Sequence, residues 1–336
     1  MDKRVGRNVK GTPRVSVVIP AYNVARFIAE TLDSVLAQTF ADYEIVVVND
    51  GSPDTAELES QLARFWDLIV YLKHVNGGTA RARNTGIEHS RGELIAFLDG
   101  DDIWLPNYLR EQISYLDAHR LEMVYANAWM FGKGYSLHET YMDKAPSNGP
   151  ADFAGILSGR CNVITSGTVV VKRRIVEIGM FDAALPGIGI EDFDLWLRLA
   201  KAGGRIGYQH QVLLKYRVRL CGLSGDIVRQ AQRTVLALKC VKAKLPFSAA
   251  EEQVWRDTLN EAEAQLLLET GKAHLLRGEF REAKFKFRAA NAHYHKPKLK
   301  VIEWALTVAP RMVVRLFKRR RADELPFFTV HADEGP

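Results

Sequence analysis

Four short apolar runs constrain this chain more than anything else in it. Val15–Pro20 (VSVVIP) is uninterrupted and β-branched, and the signal returns at Glu44–Val48 (EIVVV), Leu68–Leu72 and Leu94–Leu98 (LIAFL). Runs of this length without alternation are what strands show when both faces of a parallel sheet are covered. Helical stretches separate them. Ile28, Leu32 and Leu36 recur at four-residue spacing, Leu58, Leu62 and Trp66 share a face, and Ala80–Glu88 reads as a short helix. Asn23 is placed to cap the first helix, and Ser52-Pro53 to cap and begin the second. Strand alternating with helix predicts a doubly wound α/β layer.

The polar residues gather where those strands end: Pro20-Ala21-Tyr22-Asn23, Asn49-Asp50-Gly51 and Asp99-Gly100-Asp101-Asp102. In open α/β sheets ligands bind outside the carboxyl ends of the strands, so these segments are expected to meet at one crevice. Neither a G-x-G-x-x-G turn nor a P-loop follows the first strand, which argues against a dinucleotide dehydrogenase and a P-loop ATPase. Asp99, Asp101 and Asp102 would repel one another in a semi-enclosed site, and a divalent cation removes that conflict. Carboxylate oxygens suit Mg²⁺ or Mn²⁺. A solvated acidic loop capping a helix over Trp104–Leu116 is the competing reading. Asp50 is suited to a base edge, Tyr22 to stacking on the ring, and Arg83, after the Asn76-Gly77-Gly78 turn, to the donor. Each also has a bland reading as a turn, a half-buried ring or a solvated helix face.

Composition sets outer bounds. A length of 336 residues suggests about two domains. With 47% apolar and 26% charged residues, the chain is neither disordered nor fibrous. Its apolar runs are too short to span a bilayer, which takes roughly 18 residues or more. Three scattered cysteines make no disulfide framework or zinc site, and the amino terminus has no signal-like apolar core, so a reducing, cytosolic setting is expected. Of the net charge of +6, five units come from Val301–Arg321, where Arg311, Arg315, Lys318, Arg319, Arg320 and Arg321 face one acid, Glu303. A nucleic-acid binder would spread its basicity differently.

Taken together, VSVVIPAYNVARFIAETLDSVLAQTFADYEIVVVNDGSPD, NGGTARARNTGIEHSRGELIAFLDGDDIW and GMFDAALPGIGIEDFDLWLRLAKAGG resemble the family 2 glycosyltransferases. The likeness covers about Val15 to Ser224. It implies an A-type glycosyltransferase fold, Rossmann-like with a mostly parallel central sheet, and inverting transfer of a sugar from a nucleotide-sugar, UDP-linked by preference, to an acceptor hydroxyl. It also implies roles residue by residue. Pro20, Ala21, Tyr22, Asn23, Asp50, Gly78, Arg83, Asp99 and Gly100 would hold the nucleotide, with Asp50 reading the base. Asp101 would be the direct ligand of Mg²⁺ or Mn²⁺, supported by Asp99 and Asp102. Glu191 and Asp192 would form the acceptor-side pair, with Asp192 as general base. Asp192 has a rival reading as N-cap of a helix over Phe193–Ala202. Asn162, Thr165, Ser166 and Gly167 are candidates for the sugar pocket. Tyr216–Arg219 and Leu223-Ser224 fall where relatives carry a histidine-containing loop; with no histidine here, Arg217 or Arg219 is the candidate substitute. The rival functions are a sugar nucleotidyltransferase, whose Gly-rich opening loop is absent, and a non-catalytic binding protein on a transferase scaffold.

Past the likeness the material changes. The expected organisation is a catalytic domain over 1–225, a connecting helix or linker over 226–250, a tetratricopeptide-like hairpin over 251–298 carrying GKAHLLRGEFREAKFKFRAA, a basic amphipathic helix over 299–322 and a tail over 323–336. One such hairpin is too little to stand alone and must lean on the catalytic domain or a protein partner. In the basic helix, expected to start at Pro310, Arg311, Arg315 and Lys318 share a face and Val313, Leu316 and Phe317 another, with Ile302, Trp304 and Leu306 upstream. That arrangement suits an anionic membrane surface, which would put the enzyme at the inner face of the plasma membrane beside a lipid-linked acceptor. Packing of the apolar face on the hairpin is the competing reading.

Overall fold

A computed structural model describes residues 1–6, 11–132, 139–185, 189–219 and 227–324. Among the described residues nine strands form one sheet: β1 (Asp2–Val5), β2 (Val15–Ala21), β3 (Tyr43–Asp50), β4 (Ile69–His74), β5 (Leu94–Phe97), β6 (Ile103–Trp104), β7 (Met123–Gly132), β8 (Thr168–Val171) and β9 (Ile206–Val218). Their order is β1-β4-β3-β2-β5-β8-β7-β9-β6. The four apolar runs are the parallel centre, β4-β3-β2-β5. Around it the sheet becomes mixed: β8 lies antiparallel between β5 and β7, and β9 runs parallel to β7 through a bulge at Ala126–Ala128.

The pleat explains why the centre reads as unbroken hydrophobicity. Val17 pairs with Ile45 and Val18 with Val46, so neighbours point to opposite faces. Val17, Ile19, Ile45 and Val47 meet α1 (Ala25–Leu36), α2 (Thr55–Leu62) and α4 (Tyr108–Ala118) on one side. On the other side Val46 and Val48 meet Ala82 of α3 (Thr79–His89), while Val18 and Phe97 join Leu195, Trp196 and Leu199 of α8 (Glu191–Lys201). Three short helices complete the layer: α5 (Tyr141–Lys144), α6 (Phe153–Leu157) and α7 (Lys172–Glu177).

Two helix starts differ from the sequence reading. Asn23 is not a cap; it adopts φ +54°, and its N–H donates to Ser52 Oγ at 2.7 Å. The Ala25 N–H at the start of α1 is instead taken by Asp54 Oδ2 at 2.9 Å, from the loop after β3. Ser52 holds Asp54 by a further hydrogen bond, so α2 begins at Thr55, later than Ser52-Pro53 implied. A tertiary acceptor has replaced a local one, and the exchange ties two strand ends together.

The carboxyl-terminal third is helical: α9 (Ile227–Lys244), α10 (Ala249–Arg277), α11 (Phe280–Tyr294), α12 (Pro297–Val308) and α13 (Pro310–Glu324). The helix α9, read as a connector, buries Leu238 and Val241 in the same core as Trp196 and Phe181. Trp255 of α10 donates to the Leu238 carbonyl at 2.9 Å, and Lys201 of α8 pairs with Glu251 at 2.5 Å. The hairpin thus leans on the α/β layer. Among the described residues no helix is long and apolar enough to cross a membrane.

Candidate active site

The strand ends converge on one open cleft of about 700 Å³, within the usual range for ligand sites. Pro20, Ala21, Tyr22, Asp50, Arg83, Asp99, Gly100 and Asp101 line it, and so do Asn162, Thr165, Ser166, Glu191 and Asp192. Four expected residues do not. Asn23 is held by the capping network described above. Gly78 supplies φ +85° at the start of α3 but leaves the lining to Thr79. Gly167 sits behind the wall, its carbonyl taken by Gln112 at 2.7 Å. Asp102 is 1% exposed, and its Oδ1 accepts the Arg217 N–H at 2.7 Å. Burial, then the neighbouring Asp101 and Asp99, push its carboxyl well above the usual carboxylate range. Asp102 therefore braces the loop from inside.

At the end of β3 Asp50 is buried, and its Oδ1 accepts the Gly77 N–H at 2.7 Å. Burial raises its pKa above the ordinary aspartate value, with the Gly77 hydrogen bond and His74 pulling the other way. Tyr22 is 49% exposed at the rim, the position a stacking ring needs. Gly51 must be glycine on two counts: φ is +61°, and a Cβ would lie 2.5 Å from Asn76 N.

Arg83 lines the cleft as expected, and its bland reading is excluded. It is 4% exposed, not a solvated face residue. One terminal nitrogen donates to Asp99 Oδ1 at 2.8 Å and the other to Glu191 Oε1 at 3.1 Å. Burial works against its charge, but Asp99, Glu191 and Asp192 outweigh burial and hold the guanidinium more basic than usual. Arg83 therefore clamps Asp99 at the strand end to Glu191, beside Asp192, although the two carboxylates are distant in sequence.

Asp192 lies in the first turn of α8, whose N-cap is Ile190, so the N-cap reading fails. Its Oδ2 accepts the Thr165 hydroxyl at 2.8 Å. Burial first, and then Glu191, push its pKa up to about 6, against the pull of Arg83. A carboxylate poised there is suited to taking a proton near neutral pH. Tyr141, which the sequence did not single out, and Tyr216, from the segment expected in place of a histidine loop, line the cleft edge-on to each other at 5.7 Å. Burial and Asp192 raise the Tyr141 phenol to about 12. Ser166 Oγ accepts the Asp99 N–H at 3.1 Å, so the segment before β8 supports both carboxylate groups.

Among the described residues no three-ligand cluster is preformed for a metal. The residues present still fit one. Asp99 and Asp101 both face the cleft, and burial, then Asp99 against the pull of Arg219, leaves the Asp101 carboxyl above its usual pKa. Mg²⁺-type ions commonly take only one or two protein carboxylates and complete their shell with phosphate oxygens and water. Arg219 Nε pairs with Asp101 Oδ2 at 2.8 Å, in the place expected for a histidine loop. Arg217 instead reaches Glu30 at 2.5 Å, outside the lining. Leu223 and Ser224 lie outside the described residues.

Comparison with known proteins gives the family and the fold. The family model described as "Glycosyl transferase family 2" matches residues 16–150. The uncharacterized glycosyltransferase RP339 of Rickettsia prowazekii is 32% identical over 225 residues, 66% of this chain and 69% of that protein. WfaP of Escherichia coli, named a UDP-Glc:alpha-D-GlcNAc-diphosphoundecaprenol beta-1,3-glucosyltransferase, is 28% identical over 240 residues, 68% of this chain and 87% of WfaP. Other relatives are longer: the chain spans about a third (34%) of the length of a Rickettsia felis glycosyltransferase that it matches. In fold it is similar to the mannosyltransferase PcManGT of Pyrobaculum calidifontis, solved with GDP-Man and Mn²⁺, at a TM-score of 0.59 and 20% identity over 96% of this chain and 88% of that one. The mixed α/β sheet with its parallel centre and helical extension, the strand-end cleft and the sequence matches agree: the chain belongs to glycosyl transferase family 2 and is a glycosyltransferase.

Proposed function

We propose that this enzyme moves a hexose from a UDP-sugar to a hydroxyl of a lipid-linked saccharide, with inversion, in surface-polysaccharide assembly. The observation that carries the reading is the cleft itself, with Asp50 and Tyr22 at one end, Asp192 at the other and Arg83 between them. Asp192 takes the proton of the acceptor hydroxyl as its oxygen bonds to the anomeric carbon. The bond from that carbon to the diphosphate breaks on the opposite face, and the diphosphate leaves with the electron pair. Arg219 and Arg83 provide positive charge beside the departing group. A divalent cation held by Asp101 and Asp99, when bound, would neutralise diphosphate charge. The names of WfaP and PcManGT support the choices of UDP, lipid-diphosphate acceptor and Mn²⁺. Calorimetry with UDP and Mn²⁺ tests the donor and metal assignments together. Metal-dependent UDP binding is expected in the wild type and is expected to be lost in Asp101→Ala; undiminished metal-dependent affinity in the variant would refute the ligand role.

The seat on a membrane is a second part of the proposal, and the supporting face differs from the one expected. Val313 and Phe317 pack inward on Leu275, Phe287 and Leu306, together with Ile302. Outward lie Val301, Trp304 and Val308 of α12, at helical spacing, and Met312 and Leu316 of α13; Trp304 is 68% exposed. Arg311, Arg315, Lys318 and Arg319 are exposed on α13. Apolar side chains among cations suit anionic headgroups, where each basic residue contributes about 1 kcal/mol. Vesicles containing phosphatidylserine are expected to pellet the wild type at low salt. The pair Trp304→Ser and Leu316→Ser, both exposed, is expected to reduce pelleting at least about fivefold. Equal pelleting of both proteins, or of neither, excludes this face.

A further inference from the structure

The cleft does not end at Asp192. Beyond it, the wall is built by the helices that follow the catalytic layer, and each presents one face. On α9 Gln230, Thr234 and Ala237 fall at i, i+4 and i+7, and on α10 Thr258, Glu261 and Gln265 fall at i, i+3 and i+7. All six line the same cleft as Asp50 and Asp101. We propose that α9 and α10 form an acceptor subsite that binds the saccharide carrying the attacking hydroxyl, on the side of Asp192 away from the nucleotide. This rests on the function proposed above.

Position is the first argument. The helix that carries Asp192 packs against α9, with Ile190 and Ala237 in one apolar cluster, and α10 packs against α6. An acceptor that delivers a hydroxyl to Asp192 from the face opposite the diphosphate has this wall beside it. The second argument is chemistry. The wall carries side-chain amides, hydroxyls, a carboxylate and the Arg233 guanidinium, each able to pair with sugar hydroxyls. Trp196 lines the cleft as well, and its buried indole N–H has no hydrogen-bond partner among the described residues. A buried donor without a partner calls for one. The third is rigidity. His293 of α11 holds Glu261 at 2.8 Å, and the Tyr294 hydroxyl donates to Gln265 Oε1 at 3.0 Å. The hairpin thus fixes the side chains of the wall from behind, as a recognition surface requires.

The test uses the full chain, Mn²⁺, UDP-glucose as donor for turnover, UDP alone for binding, and as acceptor probe a synthetic GlcNAc-α-diphosphate with a short alkyl chain. Thr234→Trp and Gln230→Trp place bulk in the wall at exposed positions. In both variants the acceptor KM is expected to rise at least about tenfold, with the Kd of UDP by calorimetry within about twofold of wild type. Retained UDP affinity also shows that the variants fold. An acceptor KM unchanged in both variants overturns the subsite, and so does an equal loss of UDP affinity, which would place the wall at the donor. Wild-type protein that binds UDP but does not glycosylate the probe overturns the proposed occupant. Wild-type protein that does not bind UDP overturns the function on which the subsite rests.

Discussion

Asp192→Asn is expected to lower turnover by about 10²–10⁴-fold, the contribution of a general base, while UDP affinity stays near the wild-type value. Asparagine keeps an oxygen for the Thr165 hydroxyl, which reaches Asp192 at 2.8 Å, but it cannot accept a proton. The pH profile separates this role from a structural one. Burial and Glu191 hold the Asp192 carboxyl near a pKa of about 6, so kcat/KM of the wild type should fall as pH drops through about 6. The asparagine variant should lose that limb. Stability moves the other way. Because the folded pKa lies above that of the unfolded chain, the folded state binds more protons between about 4 and 6, and ionisation across that window destabilises the protein. At pH 7 the asparagine variant is therefore expected to melt no lower than wild type. A variant that keeps near wild-type turnover, or one that loses activity only because it unfolds, contradicts the assignment.

The parts of this protein legible in its sequence are those where one physical demand acts alone. Strands buried on both faces must be apolar throughout, so β2 to β5 could be read directly. The edge strand β1 (DKRV) carries no such demand. It is largely exposed, lies antiparallel on β4 and has no apolar signature. In β9 the bulged pairing with β7 breaks the alternation that would mark a half-buried strand. The cap at Asn23 is not formed because Asp54 reaches α1 from the loop after β3, and sequence spacing registers only local acceptors.

The site divides in the same way. Its strand-end residues were legible because a strand must stop where its ligand begins. Asp102 shared their motif yet turned inward, since three adjacent carboxylates cannot all face one cleft. Arg83 is legible as a cleft residue but not as a clamp, because its partners, Asp99 and Glu191, stand 16 and 108 residues away. The walls from α9 and α10 carry no motif at all, only amides, hydroxyls, charged groups and small apolar side chains at helical spacing. The amphipathic reading of α13 put Val313, Leu316 and Phe317 on one face, whereas packing on the hairpin draws in Val313 and Phe317 and leaves Leu316 outside.

The clamp at Arg83 makes the second large effect. Arg83→Met removes the guanidinium that neutralises Asp99 and Glu191 and leaves Glu191 buried without its partner. Breaking a buried pair from one side costs about 3–5 kcal/mol; the low end, roughly 3 kcal/mol, applies because the Asp99 side chain is 33% exposed and water can screen it. Activity should fall further than stability explains. Asp192 owes part of its ionisation to Arg83, so without it the Asp192 carboxyl becomes still harder to ionise and the acid limb of the pH profile should move to higher pH. Adding Glu191→Gln to Arg83→Met removes the stranded charge and should recover part of the stability, because the second substitution relieves what the first created. Arg83→Lys keeps the charge but reaches two carboxylates poorly, a compact ammonium replacing a planar fork, and should fall between wild type and methionine in both measures. Urea denaturation of the four proteins with pH profiles of the soluble variants tests the set. A stability loss in Arg83→Met that Glu191→Gln does not relieve would mean that Arg83 acts through packing over Phe181, 5.4 Å beneath it, and not as the clamp between the two halves of the site.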